Sequence, residues 1–416
     1  MIVELGQSEV NLNVTRQANG PLIRKLTVSN FRNYSNASLE PSKQMVVLLG
    51  NNGAGKTNLL EAISLLSPGR GLRRAQLTQL NRVKTDSTKE YDAIEAQRQW
   101  AVSVRVESNG FQTKIGTGCE TAVADGKSAK RLVKINGDIV KSQIALNDYL
   151  SVSWLTPQMD RLFVEGGSQR RRFLDRLVFA FDALHSKRVN RYNHALRERK
   201  KLLQSWTQDT SWLNAIENSL AEMGVAIAVT RQDLIRRLSP IIGKSMGLFP
   251  SAIISMEGEV ENWLEDNSAL EVEQRFREEL KKSRAKGPSE SNQIPGPHRS
   301  EFNCLHSSNK MEASLCSTGE QKALLVSIML SHAILRKKEC GSAPILLLDE
   351  ISAHLDERRR SSLFELLQNL ESQIWMTGTE SGAFSDILKI AEAYNCLLYT
   401  SPSPRDRTRS RMPSSA

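Results

Sequence analysis

Three short stretches combine residue types and spacing in ways that imply phosphate chemistry. The first, GNNGAGKT from Gly50 to Thr57, follows MVVLLG, a continuously apolar segment that reads as a strand covered on both faces. After it, NLLEAISLL from Asn58 to Leu66 has helical spacing. Strand, glycine loop and helix in that order build a cradle whose backbone N–H groups point at an anion, with the positive end of the helix behind them. Gly50, Asn51, Asn52, Gly53, Ala54 and Gly55 are expected to line it. Lys56 would reach the β and γ phosphates of ATP, and the Thr57 hydroxyl would sit on Mg²⁺.

The second stretch, PILLLDE from Pro344 to Glu350, is an apolar strand running into two acids. In a phosphate-loop ATPase such a pair divides the work: Asp349 would hold the Mg²⁺ shell and Glu350 would orient the attacking water. The third, STGEQK from Ser317, opens an apolar helix pattern, and its Gln321 lies 28 residues before Asp349. Its plainest reading is a helix N-cap, with Ser317 or Thr318 capping and Glu320 in the first turn. The order of phosphate loop, distant S-x-G-x-Q, apolar strand with Asp-Glu, and the short loop SAHLD (Ser352 to Asp356) is that of ABC-type ATPases. In that architecture the third stretch also has a partner role. Ser317, the backbone N–H of Gly319 and Gln321 would contact the γ-phosphate held by a second copy of the chain. The separation of roughly 260 residues between loop and signature argues against the ATPase subunit of a membrane transporter. His354, a single imidazole, is given no role.

The elements that must position these stretches can also be read. Ile23 to Phe31 alternates like a half-buried strand, and short alternating pieces between residues 91 and 140 suggest an antiparallel meander. From Leu155 to about residue 240 the pattern is helical, a hairpin punctuated by Pro240 and Pro250. Gln373 to Gly378 reads as a further apolar strand.

Bulk properties narrow the class. The chain has 416 residues, 39% of them hydrophobic, enough for two or three folding units. Its longest apolar runs fall far short of the roughly 20 residues that span a bilayer, so no membrane segment or export signal is expected. Five cysteines without CxxC spacing argue against a disulfide framework or zinc site and fit a cytoplasmic, reducing setting. The net charge of +10 favours a polyanionic partner; a net three of those charges lie in the low-complexity last sixteen residues, expected to be a disordered or non-native tail. Between Arg170 and Lys201 eleven Lys or Arg face three Asp or Glu, which fits either a solvated helix face or neutralisation of a phosphate backbone.

Over most of its length, from about Ile23 to Thr379, the chain resembles the bacterial RecF recombination mediators. The likeness rests on LTVSNFRNY, on PQMDRLFVEGGSQRRRFLD, on GPHRSEF from Gly296, on STGEQKALL and on LLLDEISAHLDERRRSSL. It departs in the extra N-terminal residues, in the Asn-rich phosphate loop and beyond about Ala391. The resemblance implies an α/β fold, an ABC-type P-loop ATPase head with a mixed sheet and an antiparallel meander, carrying an inserted helical domain in place of a coiled coil. The expected division is an N-terminal extension over 1–22, the head over 23–155 and 296–395, the helical domain over 156–295 and the tail over 396–416. It further implies a weak, switch-like, DNA-dependent ATPase that forms an ATP-dependent homodimer on single-stranded and gapped duplex DNA. With RecO and RecR it would help load RecA in recombinational repair; the alternative is a scaffold that binds ATP without cleaving it. By the same resemblance Gln158 senses Mg²⁺ and the attacking water, and Arg32 and Asn33 lie near the base or ribose. Asp356 links the two sites of the dimer. Of the basic residues, Arg170, Arg171 and Arg172 are expected DNA contacts, with a buried ion pair as the alternative for one of them.

Overall fold

The computed structural model describes residues 20–82, 99–120, 130–204, 210–284, 294–351 and 355–396. Most of the N-terminal extension, parts of the expected meander, Ser352 to His354 and all but Cys396 of the expected tail lie outside them.

Two sheets and one helix build the nucleotide-facing half. Strand β1 (Leu22–Phe31) pairs with β2 (Tyr34–Leu39) on one side and with β4 (Ala101–Ser108) on the other, and β5 (Phe111–Glu120), β6 (Lys130–Ile135) and β7 (Asp138–Ile139) continue an antiparallel sheet of order β2-β1-β4-β5-β6-β7. Its β4 to β7 portion is the expected meander, to which β1 and β2 add two strands, and period-2 alternation gives the sheet one buried face. The second sheet is parallel, of order β13-β3-β12-β11-β8, from β3 (Met45–Leu49), β8 (Val152–Leu155), β11 (Ile345–Leu348), β12 (Ile374–Gly378) and β13 (Glu392–Asn395). Its central strands read as unbroken apolar runs because both faces are covered. One face, with Val46, Leu48, Leu347 and Trp375, packs on α1 (Lys56–Ser64) and the first sheet. The opposite face, with Val47, Leu346, Leu348 and Met376, packs on α7 (Thr318–Cys340) and α8 (Glu357–Asn369). A buried amide ties the two sheets: Gln373 accepts from the Ile23 N–H at 2.8 Å and donates to its carbonyl at 3.0 Å.

The intervening helices are α2 (Gly167–Phe179), α3 (His185–Gln204), α4 (Thr210–Ile242), α5 (Glu259–Asp266) and α6 (Ala269–Ser283). Helices α3 and α4 form the expected hairpin. Pro240 lies inside the last turn of α4 rather than after it, where the missing N–H breaks only one terminal hydrogen bond. Among the elements the sequence did not signal are β8, β13 and the pair β9 (Ala252–Glu257) and β10 (Glu301–His306), antiparallel strands joining segments on either side of residue 295. Helix α7 is apolar nearly all round because it is wedged between layers, with Val326 and Met329 against the parallel sheet and Leu324, Leu325 and Ile328 against α2, α4 and the β9-β10 pair.

Candidate functional site

In the parallel sheet all strands end at one edge, and in register Leu49 pairs with Gly378, Met376 with Leu348, and Leu348 with Leu155. The residues immediately after β3 and β11 therefore emerge at one edge: the phosphate loop, and Asp349 with Glu350; Gln158 lies three residues beyond the end of β8, the outer strand of the same sheet. Ligands of open parallel sheets bind at this carboxyl edge.

The loop geometry requires its glycines. Gly53 and Gly55 adopt φ of 83° and 97°, which L-residues other than glycine rarely reach. A Cβ on Gly55 would also lie 2.5 Å from the Asn33 amide and 2.6 Å from the Tyr34 hydroxyl, so the β1-β2 turn closes one wall of the loop. A Cβ on Gly53 would meet nothing within 4 Å, so that part of the cradle is open to a phosphate. Lys56 Nζ donates to the carbonyls of Gly50 at 2.6 Å and Asn51 at 3.0 Å, which holds the ammonium over the loop.

Beside the loop, Thr57 Oγ1 donates to Asp349 at 2.9 and 3.1 Å, across 292 residues of chain. Thr377, at the end of β12, donates to Asp349 Oδ1 at 2.9 Å and accepts from the Glu350 N–H at 2.8 Å. Sequence reasoning had given Thr377 no role; a threonine ending a buried strand was its only signal. Glu350 takes a left-handed φ of 50°, which turns the chain sharply after Asp349, and it is half-buried. A hydroxyl beside a buried carboxylate, next to a loop of inward N–H groups, fits a magnesium nucleotide. Thr57 and Asp349 would hold the Mg²⁺ shell, and Lys56 and the loop the phosphates. Magnesium supplies charge neutralisation at the transferring phosphoryl group.

Gln158 is exposed in a short 3₁₀ turn, Pro157–Arg161. Near it Asp160 pairs with Lys322 of α7 at 3.7 Å. Burial pushes the Lys322 ammonium below its ordinary value, opposed by the carboxylates of Asp160 and Glu350. Lys322 thereby ties the signature helix to the acidic edge of the same chain, a contact absent from the sequence reading.

At the start of α7, Ser317 is the N-cap of a full capping box: its Oγ accepts from the Glu320 N–H, and Glu320 accepts from the Ser317 N–H at 2.9 Å. Ser317 is exposed and Gly319 half-buried, whereas Gln321 is buried with its amide donating to the Cys316 carbonyl at 2.8 Å. Asp356 N-caps α8 through the Arg359 N–H at 2.8 Å. Asn33 accepts from Asn58 at 2.8 Å, and Arg32 makes a two-pronged pair with the fully buried Glu61 of α1 at 2.7 and 2.8 Å. Tyr34 donates to the Ala54 carbonyl at 3.4 Å; burial first, then Cys396, pushes its hydroxyl upward.

The basic run is only partly internal: Arg172, Lys187, Arg191, Arg197, Lys200 and Lys201 are exposed, while others turn inward. Arg170 pairs with Glu301 at 2.5 Å, Arg171 donates to the Ser300 carbonyl at 2.8 Å, and Arg199 pairs with Glu217 at 2.9 Å. Arg176 stacks over Trp154 at 4.6 Å, where burial pushes it down to about 9.

Comparison with known proteins agrees with this architecture. The family model of the RecF/RecN/SMC N terminal domain matches residues 22–396. The DNA replication and repair protein RecF of Mesorhizobium japonicum is 45% identical over 372 residues, covering 89% of this chain and 94% of that protein. The chain belongs to the RecF family. RecF of Agrobacterium fabrum is 42% identical over 375 residues, covering 90% of this chain and 96% of its own. In three dimensions, a solved structure of the recombination mediator protein RecF with ATPrS superposes with a TM-score of 0.76 at 23% identity, over 91% of this chain and 97% of that one. The expected ABC-type α/β head is thus the observed RecF fold. Among the described residues no helix is long and apolar enough to cross a membrane.

Proposed function

We propose that the chain is an ATP-driven switch acting on DNA in replication and recombinational repair, as its RecF relatives are named for. The observation that carries this is the meeting of Thr57, Asp349, Thr377 and Glu350 at one sheet edge. Lys56, Thr57 and Asp349 bind the magnesium nucleotide, and Glu350 orients water for attack on the terminal phosphate. Gln158, at the same edge, reports the state of that phosphate. The exposed Ser317 and the N–H groups at Gly319 offer a second copy the attraction of a helix N-terminus for its triphosphate. ATP then adds contacts present only in the dimer, and hydrolysis removes them, so turnover is slow and the output is a conformation. The working division is a head over 23–155 and 296–395 with helices inserted over 156–295. Partners in this reading are single-stranded and gapped duplex DNA, RecO and RecR, and through them RecA.

Glu350→Gln tests the switch. With ATP and Mg²⁺ the variant should lose phosphate release and run at dimer mass in light scattering, while the wild type cycles between masses. A variant that hydrolyses like the wild type, or stays monomeric with ATP, refutes the reading. A wild type that binds ATP and never cleaves it leaves the non-hydrolysing scaffold.

A further inference from the structure

The first turn of α8 carries charges of the wrong sign for a helix. Its sequence ERRR sets Arg358, Arg359 and Arg360 against the single acid Glu357, at an end where the helix dipole is positive and favours anions. Arg359 is the residue most at odds with this field, because its side chain, 32% exposed, also reaches the first turn of α7. Its Nη1 lies 3.8 Å from where a Cβ on Gly319 would stand, and among the described residues nothing else outside α7 and its cap comes within 4 Å of that point. One guanidinium therefore stands between two positive helix ends.

The carboxylates nearby are already committed. Among the described residues Asp356 is the only acid within ion-pair distance of Arg359, and its Oδ2 stands 3.8 Å from Nε, beyond hydrogen-bond length. Asp356 Oδ1 is taken by the Arg359 N–H at 2.8 Å, as the cap of α8. Glu320, in the first turn of α7, accepts from the Ser317 N–H at 2.9 Å and from its hydroxyl at 2.8 Å. A cation held against two helix dipoles, with no carboxylate among the described residues hydrogen-bonded to it, is an unfavourable arrangement that an incoming anion reverses.

The exposed Ser317 hydroxyl, the unsatisfied N–H groups of the first turn at Gly319 and the Arg359 guanidinium are three kinds of donor, and a terminal phosphate has three oxygens to accept them. We infer that Arg359 reaches the terminal phosphate of the ATP held by the phosphate loop of a second copy of the chain. There it offsets the charge that builds as water bonds to phosphorus and the electron pair of the breaking P–O bond passes to ADP; the guanidinium itself keeps its proton. This rests on the switch reading above, in which Ser317 and Gly319 meet that triphosphate, and adds to it a residue that acts across the dimer. Each chain then lacks one cation of its own site until a partner arrives, which confines hydrolysis to the dimer.

The test uses the full chain with ATP and Mg²⁺ and reads phosphate release alongside mass by light scattering. Arg359→Ala should slow release about 100- to 1,000-fold, the usual cost of losing one donor to a developing charge. Arg359→Lys should recover part of that, because it keeps the charge and loses the fork. Both variants should bind a fluorescent ATP analogue as the wild type does, since the residue does not serve its own phosphate loop. The deciding step mixes Arg359→Ala with Glu350→Gln before ATP is added. In a two-fold dimer one of the two sites of each mixed pair combines an intact Glu350 with an intact Arg359, so random pairing of two inactive chains should restore about a quarter of the wild-type rate. An Arg359→Ala variant that hydrolyses like the wild type, or a mixture that stays inactive, overturns the assignment and leaves the switch reading standing. A wild type that stays monomeric with ATP, or a Glu350→Gln variant that hydrolyses like the wild type, removes the switch reading and this assignment with it.

Discussion

Replacing Arg32 by Ala removes two of the three contacts that hold a fully buried carboxylate in the helix following the phosphate loop. Arg32 reaches Glu61 with Nε at 2.8 Å and Nη2 at 2.7 Å, and Arg73 adds one longer contact at 3.4 Å. Glu61 has no exposure and Arg32 retains 21% of its own. Breaking a buried pair by deleting one partner costs about 3–5 kcal/mol, because the remaining charge loses its compensation. The partial exposure of Arg32 and the surviving Arg73 contact place this case near the lower end, about 3 kcal/mol. The substitution keeps a Cβ, so the left-handed φ of 55° at position 32 is no less strained afterwards and adds nothing to the difference. The assay is a double-mutant cycle on urea unfolding with Arg32→Ala, Glu61→Gln and the pair, alongside the affinity of each for a fluorescent ATP analogue. The expected coupling between the two positions is about 2 kcal/mol, with ATP affinity falling only in proportion to the folded fraction. If Arg32→Ala unfolds like the wild type yet loses ATP affinity, Arg32 serves the base or ribose, as the sequence had suggested, and the structural role argued here is wrong.

Two further outcomes follow from the site and the core. Thr377→Val deprives Asp349 of one hydroxyl donor and leaves the Glu350 N–H without its acceptor; single-turnover phosphate release should slow about 10- to 100-fold, matching a loss of about 1.4–2.7 kcal/mol, with ATP binding retained and Thr377→Ser close to wild type. Burial holds the imidazoles of His298 and His332 down to about 4, so the unfolded chain binds their protons first, below about 6.5. Their contribution to stability is complete above that pH and declines as pH falls from about 6.5 toward 4, by at most about 1.4 kcal/mol per pH unit for each. Urea midpoints at pH 7, 6 and 5 should fall accordingly, and His332→Gln should flatten the trend; a midpoint constant over this range contradicts the burial argument.

Sequence alone determined the parts of this protein that depend on short-range backbone rules. The phosphate loop, its flanking strand and helix, the acidic end of β11 and the capping box at Ser317 each lie within a dozen residues, where glycine conformations, apolar period and cap chemistry are legible. The family likeness carried the same reading to the fold. Tertiary structure alone decided which distant side chains share one space. It brought Thr377 to Asp349, Lys322 to Asp160, and Arg32 to Glu61, and it turned Arg170 and Arg171 inward while leaving Arg172 exposed. Charge density along the chain could not separate those arginines, because whether a cation meets a carboxylate or solvent depends on strands and helices more than 100 residues away.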